Sequence, residues 1–364
     1  SQYMNMGKEL YETDSVFQDI VQRVERVARE EVWVSPASGR KLRTSWAGEV
    51  PHSVVEVLYP YSSTNDCYRA PPARSRSNSR ALSTDRVSRS SRTGASVGLE
   101  RLLADLSREK DGAAAVAAGS DSSEKSTLAS KIALLQHDPI YSALSLYLLE
   151  VALAAVWISK GVTPAAVCGH SLGEYAAAVI AGVFSVEQGA RLVLHRAALL
   201  KQSLQQQGPG SNGGVMFAVR ASKEDFSASL AHAQRQKKPV ATSTEIIIDN
   251  QSATADVNSD IVALACVNSP TSIVVSGHAD GVRGVIGAMS GKLTRQLQVT
   301  HAFHSYLVAG PARQFSMDFA DVVRGRAGTE EKMFFGGEAD TPPLFVSCAT
   351  GAALTAEGRE LLRS

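Results

Sequence analysis

Apolar side chains recur at helical spacing in several long stretches of the chain. Between residues 7 and 30 they recur every three or four positions with Arg and Glu between them, which predicts one amphipathic helix. A long helix is predicted at about 141–160, because Gly161 and Pro164 supply stop signals after it. Further elements are expected at 54–59 (short and apolar), 174–181 (helix) and about 186–206 (helix).

A second pattern, made of short apolar runs, begins after the glycine-rich linker at 208–214. Its order is strand, helix, strand, strand, helix, strand, which predicts a ferredoxin-like module. Its strands are expected at 215–219, 261–267, 272–276 and 293–299, its helices at 223–234 and 280–289, and a polar loop at about 237–260. The fold class we expect is α/β: an α/β-hydrolase-like large subdomain with a parallel sheet, and the ferredoxin-like small subdomain inserted into it. The expected boundaries are 1–211 and 301–364 for the large subdomain and 212–300 for the small one.

The segment from about 62 to 126 has a different composition from the rest. It is rich in Ser, Arg, Ala and Gly, and at 74–92 serine alternates with arginine. Such a composition buries too little apolar surface to offset the entropy of ordering the chain, which indicates a solvated insertion in a loop. An RNA-binding or phosphorylated tract is the alternative. The lack of aromatic residues among the arginines argues against nucleic-acid binding.

The overall composition is that of a globular protein without a strong charge preference. The chain has 364 residues, of which 44% are hydrophobic and 20% charged, and a formal net charge of +1. These values allow one large domain or two ordinary ones. They give no indication of binding to nucleic acid or to a membrane surface.

Several features indicate a reducing, cytoplasmic location. The best membrane-span candidate, 151–158, is far too short, and the N-terminus lacks the form of a signal peptide. The cysteines Cys67, Cys168, Cys266 and Cys348 show no CxxC pairing, and three of them lie in apolar runs, which predicts buried free thiols. The chain starts at Ser1 without an initiator methionine, so we expect a piece of a longer protein.

The most specific chemical signal is the pattern Gly-x-Ser-x-Gly at 169–173. It follows a short apolar strand predicted at 165–168, expected to be buried, and precedes a helix, which is the context of a nucleophile elbow. In such a turn no residue type other than glycine is expected to fit at Gly169 and Gly173. Ser171 would be the nucleophile, and the Leu172 amide would donate a hydrogen bond to the oxyanion. A plain tight turn is the alternative.

A serine hydroxyl needs an adjacent base, most often histidine. His304, in His301-Ala302-Phe303-His304, follows the last strand of the small subdomain, where the chain re-enters the large one. A base at this point could close over a serine at the sheet edge. The alternatives are a pair of structural histidines or a His-x-x-His metal pair. No metal is expected, because further ligands are missing nearby.

These two motifs, in this order around a ferredoxin-like insert, resemble the acyltransferase domains of polyketide synthases. They are also similar to the malonyl-CoA:acyl-carrier-protein transacylases of fatty-acid synthesis. The resemblance covers Ser1 to about Phe17 and then about Leu134 to Gly351. It implies that Ser171 is the nucleophile and His304 the base. It also implies substrate contacts from Arg196, which would bind the free carboxylate of the acyl group, and from His301, Phe303 and Asn268.

The resemblance implies transfer of a malonyl group from coenzyme A to the phosphopantetheine thiol of an acyl carrier protein. In the family, His-Ala-Phe-His goes with malonyl, because Phe303 would fill the space that a 2-methyl branch needs; Leu172 points the same way. No bound cofactor is expected beyond the coenzyme A thioester that serves as substrate. The expected partners are malonyl-CoA, the carrier protein and neighbouring synthase domains, with no nucleic acid and no membrane.

The chain departs from the family pattern at both ends. Ser1-Gln2 resemble the last two residues of Gly-Gln-Gly-x-Gln, whose first glutamine supplies a second oxyanion donor in the family and would lie upstream. Cys348 replaces the usual asparagine of a Ser-Asn-Val-Thr-Gly element. We also expect the large subdomain to be incomplete at its C-terminal end, where the family has a carbonyl that orients the histidine.

Two other functions stay open at this stage. An α/β-hydrolase such as a thioesterase would complete a triad with one of four aspartates, Asp249, Asp256, Asp260 or Asp280, although none follows an apolar strand. A catalytically silent docking domain of a large synthase would need neither Ser171 nor His304.

Overall fold

The computed structural model describes residues 2–29, 33–34, 41–42, 53–60, 122–206, 214–236, 262–299, 301–324 and 342–355. The chain divides into two compact units, Ser1–Ser62 with Ile132–Ser364 and Ser63–Lys131. Most of the predicted Ser/Arg insertion, the polar loop at 237–260 and Cys67 lie outside the described residues. Most of the described residues belong to the first unit.

A helical layer forms the core of the large subdomain. In chain order its helices are α1 (Lys8–Thr13), α2 (Ser15–Arg29), α3 (Val54–Leu58), α4 (Ser122–His137), α5 (Pro139–Ser159), α6 (Gly173–Ile180) and α7 (Val186–Gln206). Helices α2, α5 and α7 pack against one another. Their facing sides bury large apolar residues, among them Phe17, Val24, Tyr147, Leu148, Leu192 and Leu194. Between α2 and α7, Arg23 forms a bidentate pair with Glu187 at 2.6 and 2.8 Å.

The single helix predicted at 7–30 is two helices, so that prediction was wrong. Asp14, between them, has an extended backbone (φ −111°, ψ 117°), which ends α1. Its carboxylate then accepts hydrogen bonds from the amides of Val16 and Phe17, both at 3.0 Å, and so caps α2. The apolar spacing continues across the break, because Tyr11 and Phe17 both face the core.

The short apolar element expected at 54–59 is the helix α3. Ser53 accepts a hydrogen bond from the Glu56 amide at 2.9 Å, while the Glu56 carboxylate accepts from the Ser53 amide. This reciprocal pair is a capping box, whose signature is Ser-x-x-Glu.

The small subdomain has the predicted order of elements. It comprises β4 (Val215–Val219), α8 (Lys223–Gln236), β5 (Val262–Ser269), β6 (Ser272–Gly277), α9 (Ala279–Ala288) and β7 (Thr294–Gln296). Its strands form an antiparallel sheet in the order β5-β6-β4-β7. Apolar residues of the sheet and helices, such as Phe226, Ile273, Val275 and Val282, build a separate core. The ferredoxin-like prediction is confirmed.

Two short strands, β1 (Trp33–Val34) and β2 (Lys41–Leu42), pair with each other in antiparallel. In the large subdomain, β3 (Ala166–Cys168) pairs in parallel with β8 (Leu344–Val346), which supplies the expected parallel sheet. The expectation of a buried strand was wrong, because Ala166 and Cys168 are exposed. Within the described part of the chain, β8 is the only strand that pairs with β3. The three cysteines in the described part of the chain are likewise free but not buried: Cys168 and Cys348 are exposed and Cys266 is half-buried.

Helix α5 is longer than the apolar stretch of 151–158 considered in the sequence. Asp138 caps it by accepting from the Ile140 amide at 2.9 Å, and Pro139 opens its first turn. By length and composition alone, its 21 residues could cross a membrane. The sequence analysis had considered only part of this helix, and its judgement that the stretch is too short was wrong. Half of its most apolar window is buried inside the protein, as in the core helix of a globular domain.

Replacing Asp14 with Ala should lower the free energy of unfolding by about 1 kcal/mol, because α2 loses its N-cap. Urea denaturation measures the change. The matched control is Asp19→Ala, which removes an exposed carboxylate 3.9 Å from Arg23 and should cost less than about 0.5 kcal/mol. Equal effects of the two changes would contradict the capping role.

Candidate active site

A sharp turn between β3 and α6 presents Ser171. Its backbone is left-handed (φ 54°), which is uncommon for a residue with a side chain. Gly169 makes the turn possible, since a Cβ there would lie 2.1 Å from the backbone of Gly173. The expectation that Gly173 is equally required was wrong, because its added Cβ would meet nothing nearer than the Glu150 carboxylate at 3.7 Å.

His304 lies in a second strained turn, just after the small subdomain. It also has a left-handed backbone (φ 57°). Ser305 holds the turn by donating to the Ala302 carbonyl at 2.6 Å. The chain segments that enter and leave the small subdomain are in contact, because a Cβ on Gly214 would lie 2.6 Å from the Ala302 side chain. Close backbone approach thus fixes where His304 emerges.

The two turns bring the Ser171 hydroxyl to 2.8 Å from His304 Nε2. Ser171 is half-buried and His304 is exposed, so the pair lies at an opening of the protein. The Leu172 amide makes no hydrogen bond to another described residue, and it lies one position before the first residue of α6. A free amide at this end of a helix favours a negative charge beside the hydroxyl.

Arg196 extends from α7 toward the same opening. Its guanidinium lies 5.5 Å from the centre of the Phe303 ring. Among the described residues no carboxylate pairs with it. Burial lowers the pKa of Arg196, and the nearby Tyr175 hydroxyl opposes that shift. A desolvated cation without an anionic partner costs free energy, which a bound anion would recover.

His301 and Phe303 line the space next to Arg196. The buried His301 lies with Nε2 2.9 Å from the Leu200 carbonyl, to which it donates, and its ring is 5.4 Å from that of Phe303. Burial is the main cause of the lowered pKa of His301. The Leu200 hydrogen bond opposes the shift and the Arg196 charge adds to it. His301 is therefore held neutral, with a fixed ring orientation.

A buried pair that the sequence analysis missed joins the helices that carry the site. His195 Nε2 lies 2.9 Å from the Asp318 carboxylate, which also accepts from Gln314 at 2.9 Å. His195 precedes Arg196 on α7, and Asp318 lies on α10 (Ala309–Arg324), which follows the His304 turn. The pair therefore restrains Arg196 and His304 relative to each other. Spacing alone gave no signal for it, because its members are 123 residues apart.

Asn268 is exposed on β5 at an irregular position of the sheet. The register of β5 against β6 shifts between Leu264 and Cys266 and again between Val267 and Ser269. Such bulges redirect side chains. Asn268 Oδ1 accepts a hydrogen bond from Cys266 Sγ at 3.0 Å, and the same sulfur lies 3.1 Å from His170 Nε2. His170 thus contacts the small subdomain rather than Ser171, as expected of neighbours in an elbow.

Glu174, next to the elbow, holds the loop that follows β8. Its carboxylate accepts hydrogen bonds from the Cys348 amide and from the Ser347 hydroxyl, the latter at 3.1 Å. The sequence analysis gave Glu174 no role beyond its place in the helix. This contact ties the parallel sheet to the start of α6 and so supports the Ser171 turn.

A cavity of about 520 Å³ lies between α5, β3 and α6, on another side of the elbow. Apolar side chains, with Trp157 and Ile158 among them, line it together with Glu150 and His170, but Ser171 and His304 do not. The described residues contain no group of three or more His, Cys, Asp or Glu side chains that could hold a metal ion.

Comparison with known proteins agrees with this geometry. Residues 106–227, which include the Ser171 elbow and Arg196, match the family model described as the acyl transferase domain. The chain is 32% identical over 222 residues to the polyketide synthase GfsB of Streptomyces halstedii, which covers 60% of this chain. It is 36% identical over 172 residues to the atrochrysone carboxylic acid synthase of Passalora fulva, or 47% of this chain. The chain spans only 3% and 8% of the lengths of these relatives.

Solved structures show the same fold. The acyltransferase domain from the second module of the salinomycin polyketide synthase superimposes with a TM-score of 0.53 at 22% identity, over 100% of this chain and 54% of that chain. MCAT from Streptococcus pneumoniae gives 0.54 at 16% identity, over 100% and 76%. The predicted resemblance to the acyltransferase domains, the fold class and the enzyme class are confirmed.

The pKa of His304 is lowered by burial, then by the positive charge of Arg196 and by His170. Since a neighbouring cation disfavours the imidazolium, Arg196→Met should raise the pKa of His304. An NMR titration of the histidine ring protons measures it. The control is Arg283→Met, which removes an exposed arginine 3.7 Å from Asp280 and should leave the His304 pKa unchanged. An unchanged pKa in Arg196→Met would contradict the electrostatic contact.

Proposed function

We propose that this domain transfers a malonyl group from coenzyme A to the phosphopantetheine thiol of an acyl carrier protein. The observation that carries the proposal is the partly buried Arg196, which has no carboxylate partner among the described residues and lies beside the hydrogen-bonded Ser171 and His304. A guanidinium binds a carboxylate through two parallel hydrogen bonds. An acyl group with a free carboxylate, such as malonyl, fits this arrangement.

In the first half of the reaction, His304 accepts the Ser171 proton as the hydroxyl attacks the thioester carbonyl. The Leu172 amide donates to the oxyanion, the bond to the coenzyme A sulfur breaks, and malonyl-Ser171 remains. The lowered pKa of His304 supports its part, because the imidazole must be neutral to accept the proton. The strained turns keep the two groups in contact before substrate arrives.

In the second half, the carrier-protein thiol attacks the malonyl-serine ester with His304 again as base. Arg196 holds the carboxylate in both halves, which aligns the carbonyl and disfavours acyl groups that lack a carboxylate. Phe303 lies beside Arg196 and would clash with a 2-methyl branch of the acyl group. The His301 ring packs against the Phe303 ring and helps to hold it in place. Asn268 is proposed to contact the acyl group from the small subdomain.

The partners follow from this chemistry. They are malonyl-CoA, an acyl carrier protein and the neighbouring domains of a synthase, in an intracellular compartment that supplies coenzyme A thioesters. No resident cofactor takes part in the proposed steps. One structural relative is named MCAT, and the sequence relatives are named polyketide synthases. These two names support this choice of partners.

No observation favours the thioesterase alternative. Of its four candidate acids, Asp249, Asp256 and Asp260 lie outside the described residues. The fourth, Asp280, is largely exposed at the start of α9, where it lies 3.7 Å from Arg283. A catalytically silent docking domain would not need the hydrogen bond between Ser171 and His304, so this contact does not support that alternative.

Replacing Ser171 with Ala should abolish the oxygen-ester adduct on the peptide that contains residue 171, because the attacking hydroxyl is gone. Peptide mapping by mass spectrometry after incubation with malonyl-CoA measures the adduct. Ser227→Ala, which removes an exposed hydroxyl on α8, should retain it. An ester that persists on the Ser171→Ala peptide would refute the assignment.

Replacing Arg196 with Ala should lower the rate of malonyl transfer by about tenfold to a hundredfold relative to acetyl transfer, since a charged hydrogen bond is lost. Competition between the two coenzyme A thioesters measures the ratio. Arg196→Lys keeps the charge without the two-pronged geometry and should give an intermediate ratio. An unaltered preference in Arg196→Ala would count against carboxylate binding.

Replacing Phe303 with Ser should raise the rate with methylmalonyl-CoA relative to malonyl-CoA by roughly tenfold or more, because a methyl-sized obstruction is removed. Phe303→Tyr keeps the ring and should still exclude methylmalonyl. If Phe303→Ser gives no gain, another residue sets the size of the acyl site.

A further inference from the structure

A thiol and an imidazole are in contact beside the Ser171–His304 pair and have no part in the reaction proposed above. Cys266 Sγ lies 3.1 Å from His170 Nε2, at hydrogen-bonding distance for sulfur. Cys266 is half-buried, so its sulfur is not sealed in the core. A nucleophile and a base within this distance form the arrangement that activates a side chain for acyl transfer.

We propose that Cys266, with His170 as its base, is a second acyl-accepting residue of this domain, specific for acyl thioesters. The proposal rests on the proposed function, because the same cleft must admit the thioester. In the step, the thiol proton passes to His170 Nε2 and Cys266 Sγ bonds to the carbonyl carbon. The bond from that carbon to the coenzyme A sulfur breaks, and the departing sulfur takes the proton from His170. One thioester replaces another, so no oxidant or reductant is needed.

The geometry places the second pair close to the first. His170 directly precedes Ser171 in the elbow, and it is the last of the three causes that lower the pKa of the His304 ring, after burial and Arg196. Cys266 belongs to β5, and its neighbour two positions on is Asn268, whose amide oxygen the thiol also contacts. The hydrogen bond between these two side chains places them on the same side of β5, and Cys266 faces the elbow through its contact with His170.

The protonation of Cys266 makes it the slower of the two nucleophiles. Burial raises the pKa of this thiol, and the nearby Cys348 adds to the effect. The thiol therefore keeps its proton near neutral pH and depends on His170 to remove it, since the thiolate is the reactive form. In the structure the amide oxygen of Asn268 accepts a hydrogen bond from the Cys266 thiol. If the amide rotated, its N–H would donate a hydrogen bond to the thiolate instead.

The test uses Ser171→Ala, in which the faster nucleophile is absent, incubated with malonyl-CoA and mapped by mass spectrometry. We expect an adduct on the peptide that contains Cys266, released by neutral hydroxylamine as thioesters are, whereas an oxygen ester resists that treatment. Adding Cys266→Ala should abolish it. Adding His170→Ala should slow its formation roughly 10²-fold, the low end for loss of a general base. Cys168→Ala, which removes a more exposed thiol, should leave it unchanged.

Wild-type protein mapped in parallel separates this proposal from the proposed function and does not depend on any variant being folded. The second site alone is overturned if wild type carries an ester on Ser171 while neither wild type nor Ser171→Ala carries a thioester on Cys266. Equal labelling of Cys168, Cys266 and Cys348 overturns it too, because the imidazole would then give no advantage. A thioester on Cys266 without an ester on Ser171 supports the second site and contradicts the proposed function. No adduct on either residue overturns both.

Discussion

The contact between the Ser171 hydroxyl and His304 Nε2, at 2.8 Å, is the constraint on which the rest of the structure depends. It joins two segments that are 133 residues apart. Each partner has a left-handed backbone, a conformation that costs about 1–3 kcal/mol for residues other than glycine. Gly169 on one side and Gly214 on the other remove the side chains that would prevent the close approaches. The small subdomain therefore also serves to return the chain to the elbow at the required place.

In the proposed reaction, electrostatics would make the same cleft selective. Arg196 is held near His304 and Phe303 by α7, which the buried His195–Asp318 pair fastens to α10. After burial, its charge is the second cause that lowers the pKa of the His304 imidazole, and among the described residues no carboxylate pairs with it. A single guanidinium would thus serve two purposes in the proposed reaction: it prepares the base and binds the carboxylate of the acyl group.

The sequence predicted the elements that have a strong local signal. The βαββαβ order, the elbow and the return of the chain at His304 all follow from apolar spacing and short motifs. The break at Asp14 was missed because the apolar spacing continues through it, although Asp before a helix is a capping signal. The helix at α10 was not predicted. Contacts between distant segments, such as Cys266 with His170 or Glu174 with the loop after β8, had no signal in spacing.

The exposure of β3 is the clearest case in which local pattern and tertiary structure disagree. An apolar run of this kind is typical of a strand covered on both faces, yet Cys168 is exposed. Burial depends on which elements pack over a strand, and that is decided far away in the chain. Gly173 is a second case in which the local pattern and the tertiary structure disagree, because the space beside this residue is evident only from the structure.

The most direct test of the account is the intact mass of the wild-type protein after exposure to equimolar malonyl-, methylmalonyl- and acetyl-CoA. The account predicts that malonyl is the dominant group on the protein and that it leaves again when a carrier-protein thiol is supplied. A protein that acquires chiefly acetyl or methylmalonyl, or that loses malonyl to water as fast as to the thiol, would contradict it.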